Sequence, residues 1–321
     1  MKAWQVHELG EPQDVLSWDE VPDPVPHPGM LRVRVDAVAL NFPDVLLCRG
    51  QYQEKPPLPF TPGLELCGTV LEGPREGERV LASPGLPRGG LAEQVLVPEV
   101  SALPVPDAMP AAKAAGLLVT YQTGHVGLHR RARLQAGETL LVHAGAGGVG
   151  SAAIQLGAAA GARVIATAGG PEKVQVCRDL GADVVVDYLA DDFVAVVKDA
   201  TEGRGADVIY DSVGGDVFDR SRRCIAFEGR IVVVGFAGGR IAEVPTNHVL
   251  VKNYAVVGLH QGLYRQHQPQ LLHDTHAALV ELWDKGLIDP LVGAELPLSD
   301  APSALTRLGD RGTIGKVVLL P

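Results

Sequence analysis

One stretch limits the possible fold more than any other. From Thr139 to Ala162 the 321-residue chain carries no Lys, Arg, Asp or Glu. That is long enough to span a bilayer. It also holds six glycines, together with His143, Ser151 and Gln155, which makes a poor membrane helix. Its internal order is more telling. Thr139-Leu140-Leu141-Val142-His143 is a short apolar run, Gly145-Ala146-Gly147-Gly148-Val149-Gly150 is a glycine-rich turn, and Ala, Ile, Gln and Leu then recur at helical spacing up to Gly161. A buried strand, a tight turn and a helix are expected.

The rhythm continues downstream. Short apolar runs stand at Arg163-Val164-Ile165-Ala166-Thr167, Asp183-Val184-Val185-Val186-Asp187, Asp207-Val208-Ile209-Tyr210-Asp211 and Arg230-Ile231-Val232-Val233-Val234-Gly235. Helix-like segments such as Pro171 to Leu180 lie between them. Such alternation describes βαβ units and a parallel sheet buried on both faces. Residues 1–115 differ: Pro22, Pro24, Pro26 and Pro28 break the chain, and runs such as Leu31-Arg32-Val33-Arg34-Val35 alternate as strands do. After residue 255 the texture loosens again, and Gly315-Lys316-Val317-Val318-Leu319-Leu320 reads as a last strand. The expected organisation is an α/β chain with a doubly wound domain at 116–254 inserted into a β-rich domain built from 1–115 and 255–321.

The glycines fit G-x-G-x-x-G at Gly145, Gly147 and Gly150, directly after a strand and at the start of a helix. Glycine there permits a tight turn, backbone approach to a pyrophosphate and close helix–strand packing, and the helix N-terminus offers N–H groups to phosphates. A dinucleotide is therefore expected. An NAD site usually ends its second strand in Asp or Glu, which accepts from the ribose hydroxyl. Here the sequence is Thr167-Ala168-Gly169-Gly170-Pro171, with no acid. Small residues leave room for a 2′-phosphate, which Lys173 and Tyr188 are placed to reach, and this favours NADPH. Glu172 leaves a late ribose acceptor open as the alternative.

Composition excludes other classes. With 28 Lys+Arg against 38 Asp+Glu the formal net charge is −10, unsuited to nucleic acid or an anionic membrane surface. Cys48, Cys67, Cys177 and Cys224 form no C-x-x-C pair, which fits free thiols in a reducing, cytoplasmic setting. The opening Met1-Lys2-Ala3-Trp4-Gln5-Val6-His7-Glu8 is too charged for a signal peptide and reads as a strand.

Several segments together resemble the zinc-free, zeta-crystallin-like quinone oxidoreductase branch of the medium-chain dehydrogenase/reductases. They are Asn41-Phe42-Pro43-Asp44, Pro62-Gly63-Leu64-Glu65-Leu66-Cys67-Gly68-Thr69-Val70, His143 through Gly150, Asp211-Ser212-Val213-Gly214-Gly215 and Gly229 through Phe236. The resemblance implies a Rossmann domain inserted into a GroES-like catalytic domain, NADPH in the cleft between them, and a homodimer. It implies that Gly147, Gly148, Val149 and Gly150 hold the pyrophosphate and that Lys173 and Tyr188 hold the 2′-phosphate. Thr123, Val213, Gly235, Phe236 and Ala237 would line the nicotinamide and its ribose, and Asn41, Asp44 and Tyr52 would face nicotinamide and substrate. Zinc-dependent relatives carry a Cys near position 41 and Gly-His-Glu where this chain has Gly63-Leu64-Glu65. Leucine cannot ligate a metal, so no metal is expected, and Glu65 reads as a structural hydrogen-bonding residue.

The pairs His125/His129 and His273/His276 read as ordinary surface or partner-facing histidines. Without a metal, Asn41 and the Tyr52 hydroxyl are the expected donors to the substrate oxygen, and Asp44 is expected to organise the pocket or relay a proton. Cys48, one turn beyond Asp44, is a candidate for oxidation. The expected substrate is a small quinone or α,β-unsaturated carbonyl. An enoyl or acryloyl thioester, with Arg130, Arg131 and Arg133 as a phosphate patch, is the enzymatic alternative, and an NADPH-binding scaffold with little turnover is the alternative outside catalysis.

Overall fold

The computed structural model describes residues 1–321. Strands β1 (Lys2–Val6) and β2 (Leu16–Glu20) pair antiparallel and are joined through helix α1 (Pro12–Val15). In β3 (Met30–Ala39), Leu31, Val33 and Val35 are buried and Arg32 and Arg34 are not, the two-residue period of a half-buried strand. Next come α2 (Phe42–Cys48), β4 (Leu66–Val70), β5 (Arg79–Ala82), β6 (Gln94–Pro98), β7 (Leu103–Pro104), α3 (Ala111–Ala115) and α4 (Leu118–His125).

The chain then alternates strand and helix. The strands are β8 (Thr139–Val142), β9 (Arg163–Ala168), β10 (Val184–Asp187), β11 (Ala206–Asp211), β12 (Ile225–Val233) and β13 (Ala255–Gly258). The helices are α5 (Gly148–Ala159), α6 (Pro171–Asp179), α7 (Phe193–Ala200), α8 (Gly215–Ser221), α9 (Thr246–Lys252), α10 (Gly262–His267) and α11 (Pro269–Asp284). It closes with β14 (Val292–Pro297), α12 (Ala301–Gly309) and β15 (Lys316–Leu320).

Two compact units result, residues 1–119 with 290–321 and residues 120–289. In the first, seven strands run β14-β15-β3-β4-β5-β7, with β6 also on β3, and the sheet is antiparallel apart from the β14–β15 pair. In the second, six strands run β10-β9-β8-β11-β12-β13, all parallel. Numbered within that unit, this is 3-2-1-4-5-6, the Rossmann order, whose switch point lies between β8 and β11. Val164, Ile165, Val208, Ile209, Ile231 and Val232 are buried in it, as both faces of a parallel sheet require.

The second boundary expected from sequence, 254/255, lies instead at 289/290, and the first lies at 119/120 rather than 115/116. The reason is β13: Ala255–Gly258 adds a sixth strand beside Arg230–Val233. The weak Ala255-Val256-Val257-Gly258 run, exposed at both ends, conceals that role in the sequence. No helix is long and apolar enough to cross a membrane, and the charge-free stretch is β8, a turn and α5.

Candidate active site

In the second unit, the turn after β8 is shaped by its glycines. Ala144 is left-handed (φ 52°), Gly145 N–H donates to the Thr167 carbonyl (2.9 Å), and Gly147 N–H donates to the Ala144 carbonyl (3.0 Å). A Cβ on Gly150 would fall 2.1 Å from the Ala144 oxygen, and one on Gly145 would fall 2.8 Å from Cys177 Sγ. Those two are glycines because the chain itself leaves no space. Gly147 is different: its Cβ would meet only the Ala144 oxygen, at 3.3 Å. It is the N-cap of α5 and has no side chain with which to cap, so the first N–H groups of the helix remain for an outside acceptor.

β9 runs out at Gly169-Gly170. A Cβ on Gly169 would lie 2.6 Å from the Tyr188 hydroxyl, so Tyr188 lies over the place where an NAD site carries its acid. Tyr188 is half-exposed, Lys173 is half-buried in the first turn of α6, and Glu172 beside it is exposed. Asp187, at the end of β10, turns inward and accepts from Gly170 N–H (3.0 Å) and Leu189 N–H (3.1 Å), holding the turn that presents Tyr188.

Beyond β11 and β12, two loops run side by side. Val234 N–H donates to the Asp211 carbonyl (2.8 Å), Ala237 N–H to the Ser212 carbonyl (3.1 Å) and Gly238 N–H to the Val213 carbonyl (2.8 Å). Asp211, buried, fixes the first loop by accepting from Val213 and Gly214 N–H at 2.8 and 2.9 Å. Val213, Gly235, Phe236 and Ala237 are thus brought together, while Thr123 is carried separately, buried on α4. Below this end of the sheet, His143 lies between Ser221 Oγ (2.8 Å from Nε2) and Thr167 Oγ1 (3.1 Å from Nδ1). Ser221 gives its own proton to the Val217 carbonyl, so Nε2–H is the donor and Nδ1 accepts from Thr167. Burial holds this imidazole down at about 4, and it is neutral at pH 7.

The first unit gathers Asn41, Asp44, Glu65 and Lys316, all buried. Asp44 Oδ2 accepts from Asn41 N–H (2.8 Å), reaching back across the first turn of α2, and Oδ1 accepts from Gly63 N–H (2.9 Å). Asn41 Nδ2 donates to Glu65 Oε1 (2.9 Å) and to the Ala39 carbonyl (3.1 Å). Lys316 Nζ donates to Glu65 Oε1 (2.7 Å), Asn41 Oδ1 (2.8 Å) and the Leu40 carbonyl (2.7 Å), and Glu65 Oε2 accepts from Val119 N–H (2.7 Å). Burial pushes the Asp44 carboxyl up to about 6, against the pull of its two N–H partners and of Lys316.

Every donor and the acceptor of the Asn41 carboxamide is already engaged within the chain, and both Asp44 oxygens face backbone. Both side chains thus bond within this unit, for Asp44 the arrangement of a pocket-organising residue. Tyr52 is half-buried against the Val6, Val15, Leu47, Cys48 and Phe60 cluster. Cys48 is fully buried, and its thiol is pushed up to about 12, first by burial and then by the Asp44 charge, which removes the thiolate that oxidation needs. Arg130 Nη2 donates to Gln268 Oε1 (2.7 Å) and Arg131 Nε to the Gly258 carbonyl (3.1 Å), so each has one donor engaged within the chain.

Residues 27–107 match the family model for the alcohol dehydrogenase GroES-like domain, and residues 148–276 match that for zinc-binding dehydrogenases. A quinone oxidoreductase-like protein 2 homolog of Nematostella vectensis is 38% identical over 99% of this chain and 88% of its own length. The chain belongs to the quinone oxidoreductase branch of the medium-chain dehydrogenase/reductases. Among solved members, the quinone oxidoreductase of Thermus thermophilus, determined alone and with NADPH, superposes with a TM-score of 0.88 at 35% identity, covering 100% of both chains. The Escherichia coli quinone oxidoreductase complexed with NADPH gives 0.92 at 29% identity, again over 100% of both chains. The buried residue of this network that the sequence pattern did not single out is Lys316. Its signal was present: one lysine in an otherwise apolar terminal strand is costly to bury unless paired.

Proposed function

We propose that this quinone oxidoreductase family member reduces quinones or α,β-unsaturated carbonyls with NADPH, without zinc. The observation that carries the cofactor choice is Gly169 beneath the Tyr188 hydroxyl, where a carboxylate would select NADH, with Lys173 in the first turn of α6. The solved Thermus thermophilus and Escherichia coli relatives held NADPH, which supports the same choice. Gly147, Gly148, Val149 and Gly150 would receive the pyrophosphate, and Lys173 and Tyr188 the 2′-phosphate. Val213, Gly235, Phe236, Ala237 and Thr123 would bound the nicotinamide and its ribose. NADPH supplies the hydride when bound. Tyr52 would donate to the acceptor oxygen, while Asn41 and Asp44 would fix the start of α2.

Zinc does not fit the donor set. Position 41 is an asparagine with its carboxamide engaged, position 64 is a leucine, and Glu65 already holds the Lys316 ammonium at 2.7 Å. A dication would have to displace that ammonium and would find one carboxylate where three ligands are needed. A cytoplasmic homodimer completes the reading: β13 is the last strand of its sheet, paired on one side only, and Leu250 and Val251 on α9 are exposed, as an edge awaiting a second copy would be.

The test is steady-state NADPH oxidation by chelator-dialysed protein against para-quinones, enones and enoyl thioesters. Turnover with a quinone or enone, unchanged by chelation, is expected. Activity confined to thioesters would replace the substrate class, tight NADPH binding without any turnover would make the protein a scaffold, and activity restored only by zinc would overturn the metal-free mechanism.

A further inference from the structure

At the opposite end of the parallel sheet from the glycine loop there is a cavity of about 300 Å³, at the lower end of the range for small-molecule sites. Gly205 precedes β11 and Cys224 precedes β12, so the cavity opens at the N-terminal ends of these strands, whereas the cofactor loops follow their C-terminal ends. The six residues of β11 separate the two ends by about 20 Å.

Four cations line it, Lys198, Arg204, Arg223 and Lys252, and no carboxylate does, in a chain whose net charge is −10. Their own partners are few. Arg204 reaches Asp207 only at 3.8 Å, and Lys252 Nζ donates to the Arg222 carbonyl at 3.1 Å. Asp192, whose charge Arg223 feels, is instead bonded to Arg220 at 2.6 Å. Lys252 is held below the usual lysine range, by burial first and by Lys198 second. Phe227 stands at the rim, 71% exposed.

Lys198 and Lys252 lie in the last turns of α7 and α9, where a cation complements the helix dipole. That does not explain Arg204 and Arg223, which follow helices rather than end them, or the convergence of all four on one cavity. Concentrated positive charge whose counter-charge is one loose ion pair, Arg204 to Asp207 at 3.8 Å, with two guanidinium forks among it, suits a phosphate group. We propose that this cavity binds a small phosphate-bearing anion, at a site separate from the dinucleotide loop.

Isothermal calorimetry on the full-length protein with pyrophosphate and with adenosine monophosphate tests this. Wild type should bind pyrophosphate in a manner that NADPH does not displace. The double variant Lys198→Gln/Arg223→Gln should bind it at least about tenfold more weakly with unchanged NADPH affinity. Tighter binding of adenosine monophosphate that is lost in Phe227→Ala would identify a nucleotide as the ligand, and equal binding would identify the bare phosphate group. Absence of pyrophosphate binding, displacement by NADPH, or equal binding by the double variant would overturn the proposal. So would a double variant that loses thermal stability while pyrophosphate fails to raise the melting temperature of wild type, because the cations would then serve only the helix ends.

Discussion

The two units hold their candidate sites by different means. In residues 120–289 the site is backbone: N–H groups at the start of α5, carbonyl-bonded loops after β11 and β12, and glycines where a Cβ would collide. In residues 1–119 with 290–321 it is a closed side-chain network, in which a fully buried carboxylate, a carboxamide and an ammonium satisfy one another. A backbone site tolerates change wherever glycine is kept. A buried network fails when a single member is removed, because a charge is then left without a partner in low dielectric.

The largest expected effect exploits that difference. Lys316→Met should destabilise the protein by about 3 to 5 kcal/mol, because it strands Glu65 at 0% exposure. The double variant Glu65→Gln/Lys316→Met should recover much of the loss, since no charge remains. Denaturant unfolding curves decide, and a double variant no better than the single one would mean that packing, not charge, holds this core.

Next come the glycines. Gly150→Ala places a carbon 2.1 Å from the Ala144 oxygen and should lower both the melting temperature and NADPH affinity. Gly147→Ala, with its nearest contact at 3.3 Å, should leave the melting temperature close to wild type and weaken NADPH on the order of tenfold. Equal melting losses in the two variants would show that Gly147 is needed by the fold rather than by the ligand.

A smaller effect is expected at Lys173→Ala: the KM for NADPH should rise about tenfold, while that for NADH changes little. Parallel changes for both cofactors would remove the 2′-phosphate from the account.

The smallest effect is a pair of opposed pH slopes, one from each unit. Asp44 titrates at about 6 when folded against 3.8 as a free group, so its contribution is present below about pH 4 and declines as pH rises through 6. His143 titrates at about 4 against 6.5, so its contribution is present above 6.5 and is lost as pH falls through 4. Between pH 4 and 6.5, Asp44→Asn should therefore steepen the rise of melting temperature with pH, and His143→Gln should flatten it. Superimposable profiles would contradict both assignments.

The same contrast explains what could be read in the chain. Gly145, Gly147 and Gly150 lie within six residues, directly after a strand, and local spacing encodes their purpose. The partners of Lys316 lie 251 residues away at Glu65 and 275 away at Asn41, and no periodicity links them. Asn41 and Asp44 could be singled out, but their direction could not: whether a side chain meets substrate or backbone depends on Gly63 and β15 arriving beside them. The boundary near 255 failed for the same reason, since β13 becomes a strand only through pairing with β12.

The central claim, that the glycine loop and the Tyr188–Lys173 corner form a site for a phosphorylated dinucleotide, is tested most directly by calorimetric titration of the purified protein with NADPH and with NADH. Binding of one NADPH per chain, clearly tighter than NADH, is the expected result. Equal affinity would contradict the corner, and no binding of either would contradict the loop.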